Sequence, residues 1–411
     1  MEPPKNRTIL FIASCISLLT TSMVFAIRGD IEADMAAAFA LSKEQMGLIW
    51  GPAFWGFTVG ILICGVIVDL IGMKTLHILS ALGYIGGVTV VLLAPKPEMA
   101  SVSSIFDTTG TRLLYFGFLG MGISQGLVEG VINPLAATMY SDRKTRILNI
   151  LHAWWPAGMI IGGLLAFVLT KFGVVWQIKL SCVMVPAVVY LGIALTQKYP
   201  QTERVAKKIP ASVMFKEVLN PFFLLFFGLM WITAASELAP DQWFPSVMKE
   251  ITGIEGILFL VYTAGLMFVL RFFFGGLVHR FNPFAVLATC ALLAGVGLYG
   301  LGSLTPGSSV IAAFGMATIF GIGKTFFWPL MLGVTSERCP KGGALLINLM
   351  GGAGMLSIAA VLPKMGALMD KYDASVALKT MAVLPGFLLV AFAVIGLVYK
   401  AKNGSYKPVE L

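Results

Sequence analysis

The sequence predicts an all-α membrane protein whose twelve transmembrane helices fall into two pseudo-symmetric halves of six. Three observations carry this prediction. The 411 residues are 58% hydrophobic and only 12% charged, and apolar runs of about 20 residues recur, the length a helix needs to cross the hydrocarbon core of a bilayer. One stretch also occurs twice. Gln125-Gly-Leu-Val-Glu129-Gly-Val-Ile-Asn133-Pro134, followed by Ser141-Asp142-Arg143, returns as Phe320-Gly-Ile-Gly-Lys324-Thr-Phe-Phe-Trp328-Pro329, followed by Ser336-Glu337-Arg338. The offset is constant (329 − 134 = 336 − 141 = 195), so the chain is a tandem repeat of about half its length. Finally, the longest polar connection, residues 197–217, is basic and has six apolar runs on either side. The expected organisation is a first half over 1–197, a cytoplasmic linker over 198–219 and a second half over 220–411.

The twelve expected spans are 8–31, 45–70, 74–94, 112–140, 146–170, 174–197, 220–248, 254–279, 284–304, 308–335, 343–369 and 377–399. An even number puts both termini on one side. Of the 29 Lys and Arg residues, 17 fall on that side, among them Arg143, Lys144, Arg204, Lys207 and Lys208. The positive-inside rule makes it the cytoplasmic side. Gly 45 and Met 21 suit closely packed, mobile helices.

Span 1 carries Ser14, Ser17, Thr21 and Arg28 at helical spacing, with Asp30 just beyond and Glu32 and Asp34 expected at the outer water interface. Span 2 ends in Gly65-x-x-x-Asp69-x-x-Gly72-x-Lys74. This resembles the loop motif of the major facilitator superfamily, which that family carries between spans 2 and 3 on the cytoplasmic side. The resemblance implies two six-helix bundles around a central cavity that opens alternately to each side. It also implies a conformational latch at Gly65, Asp69, Gly72 and Lys74, with Asp69 pairing to positive charge at a neighbouring helix end. The second copy, Gly276-Leu-Val-His279-Arg280, has Arg280 where Asp69 stands. The expected location is the bacterial inner (cell) membrane, and the chain is expected to be a monomer in the lipid bilayer.

In span 4, Gln125, Glu129 and Asn133 follow i, i+4, i+8 spacing, and Gly122, Gly126 and Gly130 run beside them. The plain reading is a Gly-x-x-x-Gly packing seam with a neutral buried Glu. The functional one is a solute and proton site, since carboxylates inside membranes are costly. Span 5 brings Asn149, His152 and Trp155, with Asn348 as the counterpart of His152 in span 11. Span 7 has Glu237, Pro240 and Asp241; Pro240 is expected to kink or unwind the helix. Asp241 precedes Arg280 by 39 residues, as Asp30 precedes Asp69 (280 − 241 = 69 − 30 = 39), so it is the pseudo-symmetric partner of Asp30 at an outer helix end. Glu237, one turn deeper, is the better cavity candidate. Arg271 in span 8 is expected to pair with a neighbouring helix or snorkel. Span 10 aligns Phe320, Lys324 and Trp328 with Gln125, Glu129 and Asn133, and the interposed lysine is expected to meet water or Glu129.

These residues suggest a small polar solute with an apolar face, such as a sugar. Hydroxyls would bond Gln125, Asn133, Asn149, His152, Glu237 and Asn348, and a ring face would lie on Trp155 or Trp328. Desolvation favours a neutral carboxyl and a nearby ammonium the charged one. A changing Glu129–Lys324 separation would therefore load and release a proton. Within the superfamily the sequence is similar to the fucose/galactose/glucose-type proton symporters, on a span-4 Glu, an acid at the outer part of span 1 and a Glu-rich stretch before the Trp of span 7. That similarity implies proton coupling at Glu129 and, second, at Asp30. The competing reading is a carrier of an organic anion, a sugar acid or organic phosphate, held by Arg28 and Lys324. A drug or metabolite exporter would be more apolar inside, and a sensor or scaffold would need a soluble domain that no loop here provides. The net charge of +9 is dispersed over short loops, which argues against nucleic acid. The five cysteines lack metal spacing and read as packing residues. No cleavable signal is expected, because the first apolar run is long and no cleavage pattern follows it. No nucleophile–base pair, metal set or phosphate loop suggests an enzyme or a cofactor.

Overall fold

The computed structural model describes residues 6–98, 102–140, 144–202, 211–278 and 281–404, and every regular element among them is helical. The chain divides into two compact units, Met1–Pro210 and Ala211–Leu411. In the first lie α1 (Arg7–Asp30), α2 (Glu32–Phe39), α3 (Lys43–Ile71), α4 (Met73–Leu92), α5 (Thr109–Met139), α6 (Lys144–His152), α7 (Trp154–Lys171), α8 (Trp176–Ser181) and α9 (Met184–Thr196). The second has α10 (Ala211–Glu217), α11 (Pro221–Thr252), α12 (Ile257–Val278), α13 (Pro283–Gly302), α14 (Val310–Lys324), α15 (Phe327–Arg338), α16 (Gly343–Lys371), α17 (Ala374–Met381) and α18 (Val383–Asn403). Each expected span is present, four of them as two pieces end to end. Ten segments are long and apolar enough to cross a membrane. The shorter apolar helix of α12 and the polar-striped α5 complete the twelve.

Local chemistry sets the helix starts. Ser42 accepts from the Gln45 N–H while Gln45 accepts from the Ser42 N–H, a reciprocal cap that begins α3. Asn220 and Asn282 each cap a helix whose first residue is proline, whose missing N–H costs nothing there. Gly72 turns the corner between α3 and α4 at φ +83°, outside the range most residues tolerate.

In the first unit α3 and α5 pack backbone to backbone. A side chain on Gly122 would stand 2.6 Å from the Ala53 and Pro52 carbonyls, and one on Gly126 equally close to the Ile61 N. The glycine row of span 4 is thus a packing seam, and the Gln125–Glu129–Asn133 stripe lies beside it, half-buried. The hydroxyls of Ser14, Ser17, Thr21 and Ser22 on α1 are buried and donate to carbonyls of their own helix.

Two expectations need correction. Asp34 is exposed, but Glu32 is buried, because the chain continues as α2 instead of opening into water. Span 7 is also unbroken: α11 runs through both Pro240 and Pro245. A proline deprives the helix of one hydrogen bond, which packed neighbours in a membrane can offset. The interruption comes instead in span 10, between Lys324 and Phe327.

Candidate functional site

In the first unit α5 and α6 bring three predicted residues into one chain of hydrogen bonds. Asn133 Nδ2 donates to Glu129 Oε2 at 3.0 Å and to the Glu129 carbonyl at 3.0 Å, and Asn133 Oδ1 lies 3.0 Å from His152 Nε2. The i, i+4 spacing on α5 allows the first contact; the end of α6 supplies the second. With the amide nitrogen committed to two acceptors, its oxygen must accept, so Nε2 of His152 carries the hydrogen. In a neutral His152, Nδ1 is then the acceptor nitrogen. All three side chains are half-buried, as is Gln125 one turn earlier on the same stripe.

Trp155 and Arg28 belong to an aromatic group whose other members, Phe25, Phe54 and Tyr84, the sequence did not single out. Trp155 on α7 lies 6.1 Å from Phe25, and Phe25 lies 6.3 Å from Phe54 in an edge contact. The Arg28 guanidinium, 2% exposed, sits over the Phe54 ring at 4.6 Å and near Phe25 at 5.6 Å. Tyr84 on α4 is within electrostatic range of both Arg28 and Glu129, and its buried hydroxyl has no hydrogen-bond partner. Asp30 has a different setting. Its carboxylate accepts from the Lys179 ammonium at 2.9 Å, and the Thr170 hydroxyl bridges the two. Asp30 is thereby an ion-pair partner tying α1 to α7 and α8.

In the second unit four charged side chains gather at the break in span 10. The ammonium of Lys324, the last residue of α14, binds both carboxylate oxygens of Asp241, and both side chains are fully buried. Thr263 Oγ1 lies 3.4 Å from the same nitrogen and the Phe320 ring centroid 5.1 Å away. On the other side of the break, Arg271 Nε donates to the Thr325 carbonyl at 2.8 Å, and its guanidinium pairs with Glu237 at 3.6 Å. Glu237 also lies close to the backbone of Trp328, in the first turn of α15. Cations thus meet the carbonyl end of α14 and a carboxylate meets the amide end of α15, as the two helix dipoles require. One Glu237 oxygen, Oε2, is buried without a hydrogen-bond partner.

Lys324 therefore requires correction: it meets neither water nor an open face, because Asp241 reaches it from α11 and closes around it. Asp241 is likewise the buried partner of Lys324, away from any water interface. Trp328 is half-buried and packs its ring edge over Gly354, beside Met230. Asn348 is half-buried on α16. Asn149 lies on α6, but its side chain is outside the described residues, as are Ser141–Arg143 and Arg280. At the corner after α3, Asp69 accepts from the Thr202 hydroxyl, Lys74 donates to the Leu195 carbonyl at 2.8 Å, and His77 bonds Tyr199 at 2.8 Å. Gly65 is exposed on the last turns of α3. The five cysteines are free thiols, and no cluster among the described residues could hold a metal ion.

Residues 10–344 match the family model described as Major Facilitator Superfamily. A putative niacin/nicotinamide transporter of Bacillus subtilis is 23% identical over 356 residues, 82% of either chain. A gentisate transporter of Corynebacterium glutamicum is 25% identical over 382 residues, 85% of this chain and 78% of that one. Among solved structures, the xylose transporter of E. coli in a partially occluded inward-open form aligns with TM-score 0.78 at 12% identity, covering 99% of this chain and all of that one. A D-xylose–proton symporter aligns with TM-score 0.75 at 15% identity, over 94% of this chain and 97% of that one. At such identities the structural likeness speaks to the fold.

Proposed function

The chain belongs to the Major Facilitator Superfamily, and from that premise we propose that it carries a small uncharged polar solute, most simply a sugar, by alternating access coupled to a proton at Glu129. It is a membrane transporter and not an enzyme; solute and coupling are the inference. The observation that carries the proposal is the Glu129–Asn133–His152 hydrogen-bonded chain. It offers a carboxylate, an amide and an imidazole in a half-buried setting, with Gln125 on the same stripe and the Trp155 indole nearby. Such a surface bonds hydroxyls and receives the C–H face of a ring. The cations that would favour an anion are mostly matched within the protein: Lys324 by Asp241, Arg271 by Glu237 and Lys179 by Asp30. Glu129 carries the proton in this scheme, and Asn133 connects its charge to His152. Lys324, held by Asp241, is left out of the coupling step, and Asp30, paired with Lys179, is its second and weaker candidate.

A second reading has its own support. Arg28 over Phe54 and Phe25 would suit an aromatic carboxylate, its carboxyl on the guanidinium and its ring on the phenyl faces. By their names, one curated relative handles niacin or nicotinamide and the other gentisate; niacin and gentisate are aromatic acids, nicotinamide a neutral amide. One experiment separates the two. Thermal unfolding of the purified protein is followed with D-xylose and other neutral monosaccharides, and with nicotinate and 2,5-dihydroxybenzoate. Only a ligand of the folded state raises the midpoint. A rise with monosaccharides alone supports the first reading; a rise with the aromatic acids alone, abolished by Arg28→Gln, replaces it with the second. In liposomes, Glu129→Gln is expected to exchange solute across the membrane but to lose accumulation driven by a proton gradient. Accumulation that survives this change moves the coupling group elsewhere.

A further inference from the structure

The Lys324 ammonium has an arrangement that a simple salt bridge does not require. Its nitrogen is met by both oxygens of Asp241 from α11, by the Thr263 hydroxyl from α12 at 3.4 Å and by the Phe320 face at 5.1 Å. It stands at the carbonyl end of α14, where the helix dipole favours positive charge and the chain is interrupted inside the membrane. At Gly321 α14 passes close to α12: a side chain there would stand 3.2 Å from Leu266 and 3.4 Å from Thr263. Carboxylate, hydroxyl, aromatic face and helix carboxyl end are the ingredients of a site for a dehydrated monovalent cation. Asp241, Thr263, Phe320 and Lys324 are all fully buried.

We propose that Asp241, Thr263, Phe320 and the carboxyl end of α14 form a monovalent-cation site that the chain fills with its own tethered ammonium, Lys324. The second unit then needs no sodium or other free cation to hold the two halves of span 10 together. The proposal is independent of which solute is carried. Shortening the side chain to alanine removes the tethered charge and leaves space for a small cation, whereas methionine removes the charge and fills the space.

The test uses the purified full-length protein and needs no transport substrate. Thermal unfolding is followed at constant ionic strength in choline chloride, sodium chloride and methylammonium chloride. Wild type is expected to give the same midpoint in all three. Lys324→Ala should unfold lower in choline and recover by about 3 °C or more in sodium or methylammonium. Lys324→Met and Lys324→Ala/Asp241→Asn should gain nothing from either cation. If Lys324→Ala can be purified only in sodium or methylammonium, that dependence is the same rescue. Three results overturn the proposal: a sodium-dependent midpoint in wild type, no rescue of Lys324→Ala by either cation, or equal rescue of the Asp241→Asn double variant.

Discussion

Asn133 is the hinge of the chemistry in the first unit, since one amide serves a carboxylate and an imidazole at once. Removing it in Asn133→Ala leaves both neighbours short of a partner. The expected loss is about 1 kcal/mol for a half-exposed pair, a midpoint lower by a few degrees, and a larger fall in solute uptake than in stability. Uptake that stays at wild-type level would remove Asn133 from the site. His152→Gln keeps a group able to donate to the Asn133 oxygen; it should preserve the midpoint and lower uptake less than Asn133→Ala does. In the second unit the fully buried Lys324–Asp241 pair behaves differently. Taking away one partner strands a charge and should cost about 3–5 kcal/mol, while Lys324→Met/Asp241→Leu together should recover most of it. A thermodynamic cycle over these variants in choline measures the coupling. The Glu129–Asn133 contact could be read from spacing, because i, i+4 neighbours on a helix meet by geometry alone; His152 reaches Asn133 from a different helix. Asp241 as the partner of Lys324 could not be read this way. The pair joins residues 83 apart in sequence, and nothing in either segment names the other. Phe25, Phe54 and Tyr84 were missed for a related reason: an aromatic residue in an apolar run looks like ordinary packing until the fold sets an arginine on it.

Among the helices, the closest approach is that of α3 and α5. Gly126→Ala would drive a methyl into the backbone of α3 and should lower the midpoint by several degrees. Gly120→Ala on the same helix meets nothing nearer than 3.6 Å and should be neutral. Equal effects at the two positions would contradict this seam. The helices as such were easy to find, since long apolar runs have few alternatives in a bilayer. Their interruptions were not. Pro240 suggested a break in α11 that the structure lacks, whereas span 10 parts at Thr325-Phe326, four residues ahead of Pro329, whose missing N–H leaves the Thr325 carbonyl without a helical donor. There Arg271 donates to that carbonyl and Glu237 lies close to the backbone of Trp328. A proline alone therefore did not tell which helix would open: Pro240 and Pro329 are the same local signal, and the difference is that Arg271 reaches the carbonyl freed in span 10.

For the whole molecule, the positive-inside count predicts that both ends of the chain face the cytoplasm. A fluorescent protein fused after Leu411 should fluoresce, and alkaline phosphatase at the same point should be inactive in cells; the opposite pattern inverts the topology. The doubling of the chain was legible because a 195-residue offset survives in its most polar helices. What the repeat did not disclose is how each half balances its charges. The spacing put Asp30 and Asp241 at matching places in their halves; each holds a lysine, but Asp30 ends its helix while Asp241 lies within one, and Lys179 comes from span 6 and Lys324 from span 10. Each half neutralises its aspartate with a lysine, but by a different route. The two halves are consequently not interchangeable parts. A chimera that transplants span 4 into the place of span 10 would bring Glu129 up to Asp241 and set two acids against each other where the native protein has none to spare.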